Sequence, residues 1–256
     1  MAAEAILEAK GLRKAFGGAV AVADMDVAVA PGEIVGLIGP NGAGKTTLFN
    51  LVAGALEPDG GRVTLAGEDV TGLPAHALAK RGLARTFQLS RALNRMSVLD
   101  NVALAAPDQP GERLAVAITP FWRKREEAVE DRAREVLDFV GLSAKLDDYA
   151  GSLSGGQKKL LEIARALMLE PKVLLLDEPM AGVNPTLAKG IMERIRAIRD
   201  ERGAAILIVE HDIESIMANS DRVIVMAEGT TLAAGDPETV RNDPRVIEAY
   251  LGGREP

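Results

Sequence analysis

A glycine-rich stretch at residues 39–47 constrains the fold more than any other part of the chain. It fits the pattern G-x-x-x-x-G-K-[ST] without a gap, and its residues are Gly39, Pro40, Asn41, Gly42, Ala43, Gly44, Lys45, Thr46 and Thr47. The apolar run 34–38 before it predicts a buried strand, and residues 45–53 predict a helix. A turn of this kind directs backbone N–H groups and the positive end of the helix dipole at one point. We therefore expect a polyphosphate site, in which Lys45 contacts the β- and γ-phosphates and the Thr46 hydroxyl binds Mg²⁺.

The composition restricts the class of protein. The chain has 256 residues, enough for one full core or for a core with a subdomain. It has no cysteine, which excludes disulfides and cysteine-based zinc sites. No stretch reads as a signal peptide or as a membrane span, and the net charge of −7 disfavours nonspecific binding to nucleic acid. We expect a cytoplasmic protein that reaches a membrane only through partners and binds no nucleic acid.

Strands and helices alternate along most of the chain. Segments 5–9 and 21–29 alternate in the manner of β-strands around Gly17-Gly18, and 223–226 and 231–234 predict a hairpin around Glu228-Gly229. Buried strands are predicted at 173–176 and 204–209, and helices at 157–169 and 185–202. The last helix has Asn184 as its expected N-cap and Pro185 at its first position. Continuous apolar strands alternating with helices predict an α/β fold with a mostly parallel sheet covered on both faces.

Residues 89–152 have a different character from the rest. They predict helices at 100–105 and 123–140, separated by a proline-bearing loop, 107–120, for which no structure is predicted. We therefore expect a core in 1–88 and 153–256, with an N-terminal antiparallel β subdomain, and an inserted α-helical subdomain in 89–152.

Two adjacent carboxylates follow the predicted strand at 173–176. Asp177 would lie at the carboxyl end of that strand, which is the edge where α/β proteins bind ligands, and could hold Mg²⁺. Glu178 could accept a proton from the water that attacks the γ-phosphate. The alternative is a pair of solvated acids in a turn.

A second helix start with anion-binding character lies at residues 153–157. Its residues after Leu153 are Ser154, Gly155, Gly156 and Gln157. In isolation the same residues could be an ordinary N-cap with flexible glycines. With the phosphate loop, this signature and the Asp177-Glu178 segment in this order, the sequence resembles the ATP-binding-cassette ATPases over nearly its whole length.

The resemblance implies a P-loop NTPase (RecA-like) core and roles for further residues. Gln88 matches the glutamine that contacts Mg²⁺ or the lytic water, and His211 matches the histidine that contacts the γ-phosphate. Phe16 takes the place of the aromatic residue that stacks on adenine. Asn184 lies where the family usually has aspartate. Without the family, His211 after a strand would be taken as structural and Phe16 as a core residue.

Four further stretches resemble the ATP-binding subunits of branched-chain amino-acid importers more closely. They are 82–88, 181–185, 209–212 and 246–252. The signature departs from that subfamily, because lysines follow Gln157 where arginines are common and no aromatic residue follows Ser154. The solute is therefore left open among branched-chain and other amino acids, amides and urea.

The importer resemblance also implies the setting in which the chain works. We expect hydrolysis of ATP with Mg²⁺, with Glu178, His211 and Gln88 as catalytic residues, in a homodimer or a heterodimer with a second ATPase subunit. Two transmembrane permease subunits would hold the dimer at the inner face of the plasma membrane, and a periplasmic solute-binding protein would act indirectly. The alternatives are a cassette ATPase outside transport and a regulatory module without turnover.

Overall fold

The structure is a computed structural model that describes residues 4–86, 92–107 and 121–251. It divides into two compact units. The first contains Met1–Arg85, Lys172–Pro179 and Ile195–Pro256, and the second contains Thr86–Pro171 and Met180–Arg194. The boundaries expected for the inserted subdomain, 89–152, stay a prediction. Gln88 and nearly all of the loop 107–120 lie outside the described residues.

A ten-stranded sheet, counted over the residues described, is the framework of the first unit. Its strands are β1 (Leu7–Phe16), β2 (Ala19–Val29), β3 (Ile34–Ile38), β4 (Gly60–Leu65), β5 (Glu68–Asp69), β6 (Leu83–Arg85), β7 (Val173–Asp177), β8 (Ala205–Val209), β9 (Arg222–Ala227) and β10 (Thr230–Gly235). They lie in the order β5-β4-β1-β2-β10-β9-β3-β8-β7-β6. The predicted α/β fold with a mostly parallel core is confirmed, since β9, β3, β8, β7 and β6 pair in parallel.

The three central strands bring their carboxyl ends to one edge. Every residue of β3, β7 and β8 is buried, as expected for apolar strands that are covered on both faces. Val209 of β8 pairs with Leu37 of β3 on one side and with Asp177 of β7 on the other. The segments that follow these strands, which carry the phosphate loop, Glu178 and His211, therefore start next to one another.

The antiparallel part of the sheet confirms the expected N-terminal β subdomain. Strands β1, β2, β4 and β5 pair in antiparallel fashion, and β1 turns into β2 at Gly17-Gly18. Strand β1 is longer than the predicted segment 5–9, because it continues through a bulge at Gly11, where φ is +60°. The hairpin of β9 and β10 forms around Glu228-Gly229 as predicted.

Helices follow the strands along the chain. They are α1 (Lys45–Val52), α2 (Ala75–Ala79), α3 (Val98–Ala103), α4 (Phe121–Phe139), α5 (Gly155–Leu167), α6 (Pro185–Arg202), α7 (Ile213–Asn219), α8 (Pro237–Arg241) and α9 (Pro244–Leu251). Asn184 caps α6 as predicted, because its Oδ1 accepts the Leu187 N–H at 2.9 Å. Helices α7 and α8 were not predicted. They are short, and each starts at an aspartate N-cap.

The second unit is helical. Helix α4 buries Ala133, Val136 and Leu137, which lie at helical spacing, and it packs with α3 and α5. Over the described parts of both units, no helix is long and apolar enough to cross a membrane.

Candidate active site

The phosphate loop between β3 and α1 requires glycine for two reasons. Gly39, Gly42 and Gly44 have φ values of +154°, +80° and +98°, which L side chains rarely adopt. A Cβ on Gly39 would also lie 2.1 Å from the Met226 carbonyl oxygen, and one on Gly44 would lie 2.2 Å from that of Ala21. The loop therefore packs directly against the backbones of β2 and β9.

The turn between β9 and β10 is hydrogen-bonded to the phosphate loop. The Gly229 N–H donates to the Ala43 carbonyl oxygen at 3.0 Å, and the Gly229 carbonyl oxygen accepts the Ala23 N–H at 2.8 Å. One glycine thus joins β2 to the phosphate loop. The contact could not be predicted from the sequence, since Ala43 and Gly229 are 186 positions apart.

Lys45 is held against the loop that precedes it. Its Nζ donates to the carbonyl oxygens of Gly39 at 2.7 Å and Pro40 at 2.9 Å, and only 6% of the residue is exposed. Burial lowers the pKa of the ammonium group, and the charge of Glu178 acts in the opposite direction. Thr46, in the first turn of α1, is exposed, so its hydroxyl is accessible to a ligand at the helix start.

Glu178 and His211 are brought into contact at the ends of neighbouring strands. The Glu178 N–H donates to the Val209 carbonyl oxygen at 2.9 Å, and Glu178 has a φ of +47°. Its Oε1 lies 2.8 Å from His211 Nε2. The Glu178 side chain is only 15% exposed, whereas that of His211 is 52% exposed. The sequence predicted both residues for the site but not their contact.

Arg85 was not predicted as a site residue, although it contacts one. It is the last residue of β6, and its Nη2 lies 3.0 Å from Oδ2 of Asp177. The Asp177 side chain is 5% exposed and that of Arg85 17%. The pair forms because β6 lies beside β7 in the sheet, and local sequence patterns do not predict the order of strands.

Tyr250 reaches the loop from the last described helix. The Gly39 N–H hydrogen-bonds to the Tyr250 hydroxyl, and partial burial of the ring raises the Tyr250 pKa to about 12. Tyr250 was not predicted as a site residue, although it lies in the stretch 246–252 that carries the importer resemblance.

Phe16 lies at the tip of the β1–β2 hairpin. Its ring is 48% exposed, and Lys14 Nζ lies 5.9 Å from the ring centroid. An aromatic face that remains this open at a strand end is available to stack on a planar ligand.

The signature segment opens α5 in the second unit. Ser154 Oγ accepts the Gln157 N–H at 3.4 Å, and Gln157 Oε1 accepts the Ser154 N–H at 2.9 Å, which is a capping box. A Cβ on Gly156 would lie 2.1 Å from the side chain of Leu187, so glycine is needed for packing. Gly155 has open space around it. The capping box uses the N–H groups of Ser154 and Gln157, so an anion at this helix start would meet the N–H groups of Gly155 and Gly156.

Comparison with known proteins gives the family. The sequence profile described as ABC transporter matches residues 22–181, which is more than half of the chain and includes the phosphate loop, the signature and Asp177-Glu178. The chain belongs to the ATP-binding cassettes of ABC transporters. The predicted family, fold and ATPase activity are confirmed. A second profile, described as branched-chain amino acid ATP-binding cassette transporter, matches residues 230–256.

Relatives resemble this cassette over its full length. The probable branched-chain amino acid transport ATP-binding protein LivG of Archaeoglobus fulgidus is 41% identical over 98% of this chain and 96% of its own. The high-affinity LivG of Escherichia coli is 41% identical over 96% of this chain and 98% of its own. Among solved structures, the ADP conformation of an ATP-binding cassette of an ABC transporter aligns with a TM-score of 0.85 and 38% identity, over 97% of this chain and 99% of that chain.

Proposed function

We propose that this cassette is the ATP-hydrolysing subunit of an importer for branched-chain or related amino acids. The observation that supports hydrolysis most directly is the 2.8 Å contact between Glu178 and His211. Glu178 directly follows the buried Asp177 in sequence. A regulatory module that only bound nucleotide would need the phosphate loop but not this pair.

The chemistry assigned to these residues is positioning and proton transfer. Lys45 places its ammonium group at the β- and γ-phosphates, and the loop N–H groups surround them. Glu178 accepts the proton of the attacking water. His211 Nε2–H donates to the Glu178 carboxylate, since a carboxylate offers only acceptors, and this contact fixes the direction of the base.

The donor set fits Mg²⁺. The Thr46 hydroxyl and the Asp177 carboxylate are hard oxygen ligands, and Mg²⁺ in nucleotide sites uses one or two such groups together with phosphates and water. In 4–86, 92–107 and 121–251 there is no cluster of three or more His, Asp or Glu that could form an all-protein metal site. When bound, Mg²⁺ would neutralise charge on the phosphates. Gln88, the third predicted ligand, lies outside the described residues.

Adenine would stack on Phe16, whose ring is open at the tip of the β1–β2 hairpin. Ser154, Gly155, Gly156 and Gln157 would contact the γ-phosphate of a nucleotide held by a second cassette, either a copy of this chain or a different ATPase subunit. Each hydrolytic site would then contain residues from two chains.

The membrane partners are two permease subunits on the inner face of the plasma membrane, supplied with solute by a periplasmic binding protein. The names of the relatives support this, since they are transport ATP-binding proteins. The second unit also exposes large apolar side chains, with Leu93 at 41%, Leu104 at 50% and Tyr149 at 66%. We expect the membrane subunit to dock on residues 89–102, which include Leu93; residues 89–91 lie outside the described residues.

The branched-chain solute class is supported by the second profile match, at residues 230–256, and by the LivG relatives. Purification of the tagged chain from its native membrane, followed by mass spectrometry, tests the proposal. We expect permease subunits and a second cassette to copurify. Recovery with soluble proteins only, under detergent conditions that keep known transporters intact, would favour the alternative of a cassette outside transport.

The shared site is tested by mixing Lys45→Ala with Ser154→Arg. Each homodimer of a variant has two damaged sites, whereas a mixed dimer has one doubly damaged site and one intact site. We expect ATP occlusion, and some hydrolysis, to return on mixing. Isolated mixed dimers that neither occlude nor hydrolyse ATP would contradict a site shared between copies of this chain.

A further inference from the structure

Arg85 contacts both Asp177 and the helix that follows the phosphate loop. Arg85 ends β6, and its Nη2 lies 3.0 Å from Oδ2 of Asp177, the carboxylate assigned to Mg²⁺. Both side chains are largely removed from solvent, at 17% and 5% exposure. The pair is therefore screened less than a surface ion pair, and removing one partner costs more than it would at the surface.

The same guanidinium is anchored on the helix that follows the phosphate loop. Arg85 Nη1 donates to Asn50 Oδ1 at 2.6 Å, and its Cζ lies 4.8 Å from the centroid of the Phe49 ring. Phe49 is fully buried, so the ring is a fixed platform for the cation. Asn50 and Phe49 lie on α1, which starts at Lys45. Arg85 is thus held in a fixed position and is not a mobile surface charge.

The electrostatic role of Arg85 depends on whether a cation is bound. A carboxylate as buried as Asp177 needs a compensating charge, because an unpaired buried ion is strongly destabilising. Arg85 supplies that charge when no divalent cation is bound. A cation bound to the same carboxylate supplies it too, and the two positive groups then repel each other.

We propose that Arg85 neutralises Asp177 in the metal-free cassette, and that Mg²⁺ competes with its guanidinium for this carboxylate. The proposal rests on the assignment of Asp177 to Mg²⁺. It concerns how strongly Mg²⁺ is taken up with the nucleotide, which is a property separate from the catalytic step.

An arginine that only oriented Asp177 would act with the opposite sign. Its removal would leave the carboxylate misdirected and would weaken Mg²⁺ binding. Under competition, removal leaves a carboxylate that gains more from Mg²⁺. The direction of the change therefore separates the two roles.

The test measures the affinity of the non-hydrolysable analogue AMP-PNP with excess Mg²⁺ and with EDTA. The ratio of the two affinities is the Mg²⁺ enhancement. For Arg85→Gln we expect this enhancement to rise about five- to tenfold, since the pair is intermediate between exposed and fully buried ion pairs. Arg81→Gln is the matched control, because Arg81 is more exposed, pairs with Glu68 and makes the same change in charge. Its enhancement should stay at the wild-type value.

Arg85→Lys and the wild-type protein keep the test decisive if Arg85→Gln does not fold. A lysine keeps the charge but cannot bond Asn50 and Asp177 with one planar fork, so we expect a smaller rise. In wild type, the ¹⁵N signals of the Arg85 guanidinium, assigned by their loss in Arg85→Lys, should shift when Mg²⁺ is added to the AMP-PNP complex.

An enhancement that is unchanged or lower in the Arg85 variants, or an Arg85 signal that Mg²⁺ does not move, would overturn the proposal. These outcomes are distinct from a failure of the proposed nucleotide site. In that case the wild-type chain itself would not bind AMP-PNP, or Mg²⁺ would not tighten its binding.

Discussion

The substitution Glu178→Gln separates catalysis from binding at this site. Glutamine has nearly the same shape as glutamate, and its Oε1 can still accept the His211 Nε2–H that now lies 2.8 Å from the carboxylate. The side chain is only 15% exposed, so an isosteric change preserves its packing. What the variant loses is a group that can take a proton from water.

The expected magnitude follows from that loss. General base catalysis contributes roughly 10²–10⁴-fold to a rate, which corresponds to about 2.7–5.5 kcal/mol of the barrier. The steady-state ATPase rate should therefore fall by at least about two orders of magnitude. Nucleotide affinity should be at least that of wild type, because the charge of Glu178, which acts on Lys45, no longer repels the phosphates.

The assay pairs steady-state phosphate release with the equilibrium binding of labelled ATP. Glu201→Gln is the control, since Glu201 is exposed near the end of α6 and makes the same change in charge. Hydrolysis near the wild-type rate in Glu178→Gln would remove Glu178 from the base position. A joint loss of affinity and turnover would instead indicate that the carboxylate serves in binding.

Three further predictions concern the loop, the C-terminal helix and the docking surface. Gly44→Ala should lower the free energy of unfolding in urea by ~3 kcal/mol or more. Gly42→Ala, which has open space around its Cβ, should cost only the ~1–2 kcal/mol of an alanine in the left-handed region. Equal costs for the two variants would contradict the close packing of the loop against β2. Because burial raises the Tyr250 pKa to about 12, its contribution is complete below pH 10 and is lost as the pH rises from 10 to 12. This rise of the pKa corresponds to ~2.7 kcal/mol, which the partial exposure of the ring reduces to ~1 kcal/mol. The stability difference between wild type and Tyr250→Phe should therefore shrink by ~1 kcal/mol over this range; a difference independent of pH would refute this. Leu93→Glu should abolish permease binding and transport while sparing basal hydrolysis, and intact transport would place the docking surface elsewhere.

Much of the site could be predicted because its signals are local. The apolar run before Gly39 specifies a strand buried on both faces, and the Gly-Lys-Thr ending specifies the start of α1. Asn184 followed by proline likewise specifies the start of α6. Each of these patterns spans fewer than ten residues, over which spacing and residue type determine backbone geometry.

The contacts that complete the site are long-range and could not be predicted. Arg85 meets Asp177 because β6 lies beside β7 in the sheet, and the two residues are 92 positions apart in sequence. The Gly229 bond to Ala43 also depends on strand order, and Tyr250 reaches Gly39 from a helix near the other end of the chain. Side-chain periodicity does not encode the order of strands in a sheet.

The central claim is that ATP hydrolysis at Glu178 drives amino-acid import. It is tested most directly by reconstituting the complex purified from its native membrane into liposomes and measuring the uptake of labelled leucine, isoleucine and valine with the binding protein present. We predict ATP-dependent uptake with the wild-type chain and with Glu201→Gln, and none with Glu178→Gln. Uptake that survives Glu178→Gln, or a complex that hydrolyses ATP but carries none of these amino acids, would contradict the account.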